Sequence, residues 1–191
     1  MDFEQACSPV VRVGHSWTYA AQSGVDESGR PLRESDFVRL SDGTRLTQIG
    51  ALAPGATVNR YDILLNAVDL AVKYQGWSLN AEYFWQQIGR LRADLHVPYA
   101  DLFQHGYYVE AGLFVIPQRL ELNAHYSRVS GEFATRNEYT GGFRWYFQQG
   151  KNLHFAFDVT ALDGSPLNNT GSDILVGDDG VLFRSQFQGM F

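Results

Sequence analysis

Val181–Phe191, VLFRSQFQGMF, closes the chain with apolar Val181, Phe183, Phe187 and Phe191 on one parity and Arg184, Gln186 and Gln188 on the other. Successive side chains of a β-strand point to opposite sides, so this spacing predicts a strand with one greasy and one hydrophilic face. Its length of about ten residues suits a tilted strand crossing the hydrocarbon of a bilayer. The last edge strand of a water-soluble β-protein alternates in the same way, and the two readings separate only when the rest of the chain is considered.

The same alternation recurs upstream, and each time one parity is apolar while the other carries charge. Val11–Ala21 sets Val11, Val13, Trp17 and Tyr19 against Arg12, Ser16 and Thr18, with His15 a misfit on the apolar side. Asp62–Tyr74 sets Val68, Leu70, Val72 and Tyr74 against Asp69 and Lys73, Gln75-Gly76 makes a tight turn, and Trp77, Leu79, Ala81, Tyr83 and Trp85 then oppose Asn80, Glu82 and Gln86. Further along, Tyr107–Val115, Leu120–Tyr126, Glu138–Phe147 and Leu153–Thr160 repeat the pattern, with Glu110, Glu121, Glu138, Arg144 and Asp158 on the polar parity.

The expected connections alternate in length. Gln75, Pro117 and Gln148–Asn152 are short; Gln22–Tyr61, Gln87–His105 and Asp163–Gly180 are long and polar, with Ser130–Arg136 intermediate. An up-and-down transmembrane barrel, with short periplasmic turns and long outer loops, has this pattern, whereas a soluble sandwich has no reason to sort its loops by end. Within the first long loop, Asp42-Gly43 lies between alternating residues of Phe37–Thr47 and predicts a hairpin rising beyond the membrane.

Aromatics provide a second test, because Trp and Tyr favour the headgroup levels and aliphatics the middle of the bilayer. Tyr74, Trp77, Trp145 and Phe147 flank the short turns, Tyr19, Trp85, Tyr107, Tyr126 and Tyr139 lie near the long loops, and Leu70, Leu79, Ala111, Leu113 and Leu122 fall between. The expectation is an all-β fold: a transmembrane antiparallel up-and-down β-barrel with about eight strands in this chain. It forms one domain over residues 1–191, with 22–60 as a long extracellular loop.

Composition agrees. Aromatics make up 14% of 191 residues, which favours strands, and no apolar run is long enough for a membrane-spanning helix. The net charge of -6, without a Lys/Arg cluster, argues against a nucleic-acid partner, and one cysteine, Cys7, excludes an internal disulfide framework. MDFEQACSPV has neither the basic nor the apolar region of a signal peptide, so an exported form is expected to have lost its leader or to be represented by a fragment.

Gly106–Val129, GYYVEAGLFVIPQRLELNAHYSRV, and Glu138–Asp158, EYTGGFRWYFQQGKNLHFAFD, resemble the C-terminal half of the phosphate-selective porin O and P family. The features that match are a strand ending at Ile116-Pro117, a next strand opening Leu120-Glu121-Leu122 and closing Tyr126-Ser127, a Gly-Phe-Arg-Trp-Tyr strand and the terminal Phe. The resemblance covers roughly Tyr61 to Phe191. It implies the C-terminal half of a larger barrel of about sixteen strands, with the upstream strands absent, in a homotrimer of the bacterial outer membrane. It also implies passive diffusion of small hydrophilic solutes or ions, anions such as phosphate among them, with Phe187 and Phe191 as the C-terminal signal read by the barrel-assembly machinery. A small self-closed eight-stranded barrel with a structural or surface-binding role remains the alternative.

The polar parity supplies the residues expected to line a pore: Arg12, Asp69, Lys73, Glu82, Glu110, Glu121, Arg144, Asp158 and Arg184, with Glu138 beside them. This is a mixed lining, suited to a general pore, because rings of one sign are what bias ion choice. Glu121 and Arg144 are expected to pair across neighbouring strands. Other constellations weigh less. His125, Ser127 and Ser130 lack a Gly-flanked nucleophile and an oxyanion donor, so no enzyme is expected. His15, His125 and His154 lack paired spacing, so no metal and no cofactor is expected. Asp173, Asp178 and Asp179, with Asn168 and Asn169, hydrate a loop, and the Asn168-Asn169-Thr170 sequon carries no expected use.

Overall fold

A computed structural model describes residues 4, 6–23, 38–147, 152–165 and 177–189. Eight strands run β1 Val10–Ser23, β2 Val58–Tyr74, β3 Trp77–Ala93, β4 Leu102–Ile116, β5 Leu120–Gly131, β6 Thr135–Tyr146, β7 Leu153–Asp163 and β8 Gly180–Gly189. They form one antiparallel sheet in which spatial order follows chain order. Among the described residues no ladder joins β8 to β1, so the closure that the eight-strand alternative requires is not found there.

Cross-strand register fixes the faces, because directly opposed residues point the same way. On one face Val13 opposes Leu70, Leu70 opposes Ala81, Leu113 opposes Leu122 and Phe143 opposes Phe157. Tyr83 opposes Tyr107 and Tyr126 opposes Tyr139 toward one end, while Trp145, Phe155 and Phe187 are neighbours toward the other. This apolar face is bare: Val13 is 70%, Trp17 67%, Phe183 68% and Leu122 46% exposed.

The strands outrun the alternating segments. β3 continues to Ala93 and β4 begins at Leu102, so the expected long connection Gln87–His105 shrinks to 94–101. Ser130–Arg136 likewise shrinks to 132–134, as short as the 117–119 turn at the other end. Backbone ladders need no apolar face, and Gln86 opposing Gln104 shows pairing carried through polar positions. At the short-turn end, Gln75 and Gly76 take φ of 47° and 86°, the doubly left-handed turn whose twist matches its flanking strands.

The principal core sits at the long-connection end of the opposite face. Leu40, Leu46 and Leu52 from the connection before β2 pack with Tyr61, Ile88 and Leu102 of the sheet. The Asp42-Gly43 hairpin does form: Leu40 N–H donates to Thr44 O (2.8 Å) and Leu46 N–H to Val38 O (2.9 Å), while Asp42 Oδ1 accepts the Thr44 N–H (2.9 Å). Its apolar side packs onto the sheet, with Leu40 and Leu46 against Tyr61, Ile88 and Leu102. Phe37, the first residue of that expected hairpin, lies outside the described residues.

Candidate functional site

The face opposite the bare apolar one holds all nine residues expected to line a pore. The register places Arg12 beside Ala71, then Asn80, Glu110, His125 and Thr140 along one row. Asp69, Glu82, Tyr108, Ser127 and Glu138 make the next row, and Lys73 lies in a row with Ser78, Gly112, Asn123, Gly142, Asp158 and Arg184.

Among the described residues three pairs of opposite charge come together on this face. Arg12 Nη2 lies 3.1 Å from Asp69 Oδ1, Arg144 Nη1 3.5 Å from Glu121 Oε2, and Arg184 Nε 3.0 Å from Asp158 Oδ2. The Glu121–Arg144 pairing expected from the sequence is therefore present. Glu121 is 2% exposed, and the Tyr146 hydroxyl donates to it at 3.4 Å. A hollow of about 650 Å³ opens over β4–β8, lined among others by Glu110, His125, Arg144, Asp158, Arg184 and Gln186. Its charges alternate in sign, so it offers water and hydrogen bonds rather than a field of one polarity.

The remaining expected residues are dispersed. His125 stacks on Tyr108 with ring centroids 5.7 Å apart and shares the polar face with Ser127. Ser130 falls on the other parity, opposite His105, and its Oγ contacts Thr135 Oγ1 at 2.9 Å, so the serine and histidine groups do not assemble. His15 opposes Val68 on the apolar face, while His125 and His154 sit on β5 and β7; among the described residues no group of three His, Cys, Asp or Glu side chains surrounds a metal position. Phe187 is 65% exposed on the apolar face beside Phe147, whereas Phe191 lies outside the described residues, as do Asp173, Asn168, Asn169 and Thr170. Of the acidic loop, Asp179 Oδ1 accepts the Gly164 N–H at 2.6 Å, a structural use that keeps the connection closed.

Pattern reading missed the lid of this face. Gln104 Nε2 donates to Arg39 O (2.7 Å) and to the Gln86 side chain, tying the hairpin to β3 and β4. Ser41, 2% exposed, accepts N–H groups from Phe133 (3.2 Å) and Ala134 (3.0 Å) in the connection between β5 and β6. Gly131 makes room for this contact, since a Cβ there would lie 2.8 Å from Ser41 Cβ. The segment thus reaches from β2 to the β5–β6 connection across the long-connection end of the polar face. Its only sequence signal is apolar residues on the wrong parity: Tyr61, Ile63, Ile88 and Leu102 align with Asp69 and Glu82, not with Val68 and Tyr83.

The sequence profile of one family, described as phosphate-selective porin O and P, matches residues 41–191. The match begins within the hairpin, further upstream than the stretch the sequence motifs covered. Among curated proteins and among solved structures nothing matches.

Proposed function

The chain belongs to the phosphate-selective porin O and P family, and from that membership we propose that its eight strands form part of the wall of a water-filled bacterial outer-membrane channel. Small hydrophilic solutes diffuse through it down their gradients, without cofactor, energy source or catalytic step. The observation that carries this reading is the inversion of the faces. Trp17, Val13, Leu122 and Phe183 stand bare on one side, while Glu121, Arg144, Asp158 and Arg184 crowd the other. Water rejects the first face and stabilises the second, so the arrangement suits hydrocarbon outside and water within.

In this reading the hairpin from Val38 to Leu46 narrows the outer end of the path, because it lies against the polar face and is held at both ends. The nine polar-face residues Arg12, Asp69, Lys73, Glu82, Glu110, Glu121, Arg144, Asp158 and Arg184 form the lining. Phosphate specificity would call for a run of unopposed bases. Three of the four bases here stand against carboxylates at 3.0 to 3.5 Å, which supports a general pore of weak ion preference.

Among the described residues β1 and β8 are not joined to each other, and each outer edge needs a partner, since an open edge in hydrocarbon leaves backbone groups without hydrogen bonds. Further strands that complete a larger barrel supply them in this proposal. Insertion by the barrel-assembly machinery, which reads Phe187 and Phe191, and association as a homotrimer complete the picture. The test is a planar bilayer containing the complete barrel: stepwise, ohmic conductance is expected, and bilayers that stay silent despite verified insertion overturn the pore.

A further inference from the structure

At the long-connection end of β2 and β3 the apolar face gives way to a knot of guanidinium groups. Arg60 and Arg92 stand directly opposite each other in the ladder, which is irregular on both sides of Arg60. Like charges opposed in this way repel. Tyr61 and Leu91, their chain neighbours, turn into the core on the other side, which leaves both guanidiniums on the outward side. Among the described residues neither makes an ion pair.

Arg90 joins them through a local distortion. Its φ of 51° is left-handed, a conformation that costs an arginine free energy and, at a β-bulge, re-aims the side chain. Its Nη1 reaches Asp62 Oδ2 at 3.0 Å while the side chain remains 81% exposed, and Asp62 is also held by the Tyr19 hydroxyl at 2.7 Å. A hollow of about 260 Å³ beside it is lined by Tyr19, Asp62, Gly89, Arg90 and Asp101. Among the described residues only Arg90 of the three has a carboxylate partner, and the opposed pair Arg60 and Arg92 holds the unbalanced charge.

The position of the cluster identifies its ligand. Trp17 and Tyr19, exposed on the same face of the neighbouring strand, mark the headgroup level that amphipathic rings favour, and the arginines lie next to Tyr19 toward the long connections. Guanidinium groups bind phosphate through paired N–H donors. We propose that Arg60, Arg90 and Arg92 form a docking site for the phosphate of an outer-leaflet membrane lipid on the outside of the wall. The inference rests on the reading that the apolar face meets lipid, and it concerns the face turned away from the channel.

The test titrates the full chain in mild detergent with lipid A carrying both phosphates and with its dephosphorylated form, for the natural protein and for the double variant Arg60→Gln/Arg92→Gln. The natural protein is expected to bind the phosphorylated lipid about tenfold more tightly, from the contribution of roughly one basic side chain or more at a membrane surface. The double variant loses that preference while heat-modifiable migration and bilayer conductance stay unchanged. Arg92→Gln alone, which leaves the Arg90–Asp62 contact in place, gives the same comparison if the double variant does not fold. Equal binding of the two lipids by the natural protein, or a preference that survives in the folded variant, overturns the site. Displacement of lipid A by millimolar inorganic phosphate also overturns it, by showing a soluble-phosphate site. A lipid preference in a protein whose bilayers are silent supports the docking site and removes the channel.

Discussion

Leu122 and Asn123 are adjacent in the chain and point to opposite faces of β5, so a single pair of substitutions tests which side meets lipid. Leu122→Arg is expected to destabilise the inserted protein by about 2 to 4 kcal/mol, the cost of a guanidinium near mid-membrane, whereas Asn123→Arg is expected to be mild. Urea unfolding from lipid vesicles measures both, and equal effects refute the assignment of faces. Ser41 offers a second test, because its Oγ accepts two backbone N–H groups in a buried place. Ser41→Ala leaves those donors without a partner, a loss of about 1 to 3 kcal/mol. That loss should appear as a noisier and larger single-channel conductance and as a melting transition lowered by roughly 2 to 4 °C per kcal/mol lost.

The middle of each strand is the part of the fold most legible in the sequence. Segments such as Val68–Tyr74 and Leu120–Tyr126 alternate because the two sides of the sheet meet different solvents, and the structure places them as that pattern requires. Strand ends were less legible: β3 runs on through Gln86, Gln87 and Ile88, where hydrogen bonding continues but the alternation fades. The Asp42-Gly43 turn was readable from its residue types, while the landing place of its hairpin was not, since that depends on Tyr61 and Ile88 lying far away in sequence. All nine expected lining residues share one face; of their pairs the sequence foretold Glu121–Arg144, whereas Arg12–Asp69 and Arg184–Asp158 emerge only from the register. At this scale the Gln75-Gly76 turn makes a prediction. Gly76 sits at φ 86°, so Gly76→Val forces a branched side chain into left-handed backbone at a cost of about 1 to 2 kcal/mol. A lower urea midpoint and a lower refolding yield into vesicles are expected, and an unchanged midpoint contradicts the turn geometry.

Across the whole molecule, the balance of charge on the polar face decides what passes. With arginines paired to carboxylates along the wall, a tenfold KCl gradient across a bilayer should give a reversal potential near zero; a value close to the chloride limit overturns the mixed-lining reading. Raising the salt should change this little, because the partners stand within a few ångströms of each other and screening acts over about 10 Å at 0.1 M. The contact between Ser41 and the brief β5–β6 connection has a practical corollary for engineering. An epitope spliced into 132–134 would knock away the sill on which the crossbar rests, so display of foreign peptide at that corner and leakiness toward bulky nutrients or antibiotics would rise together.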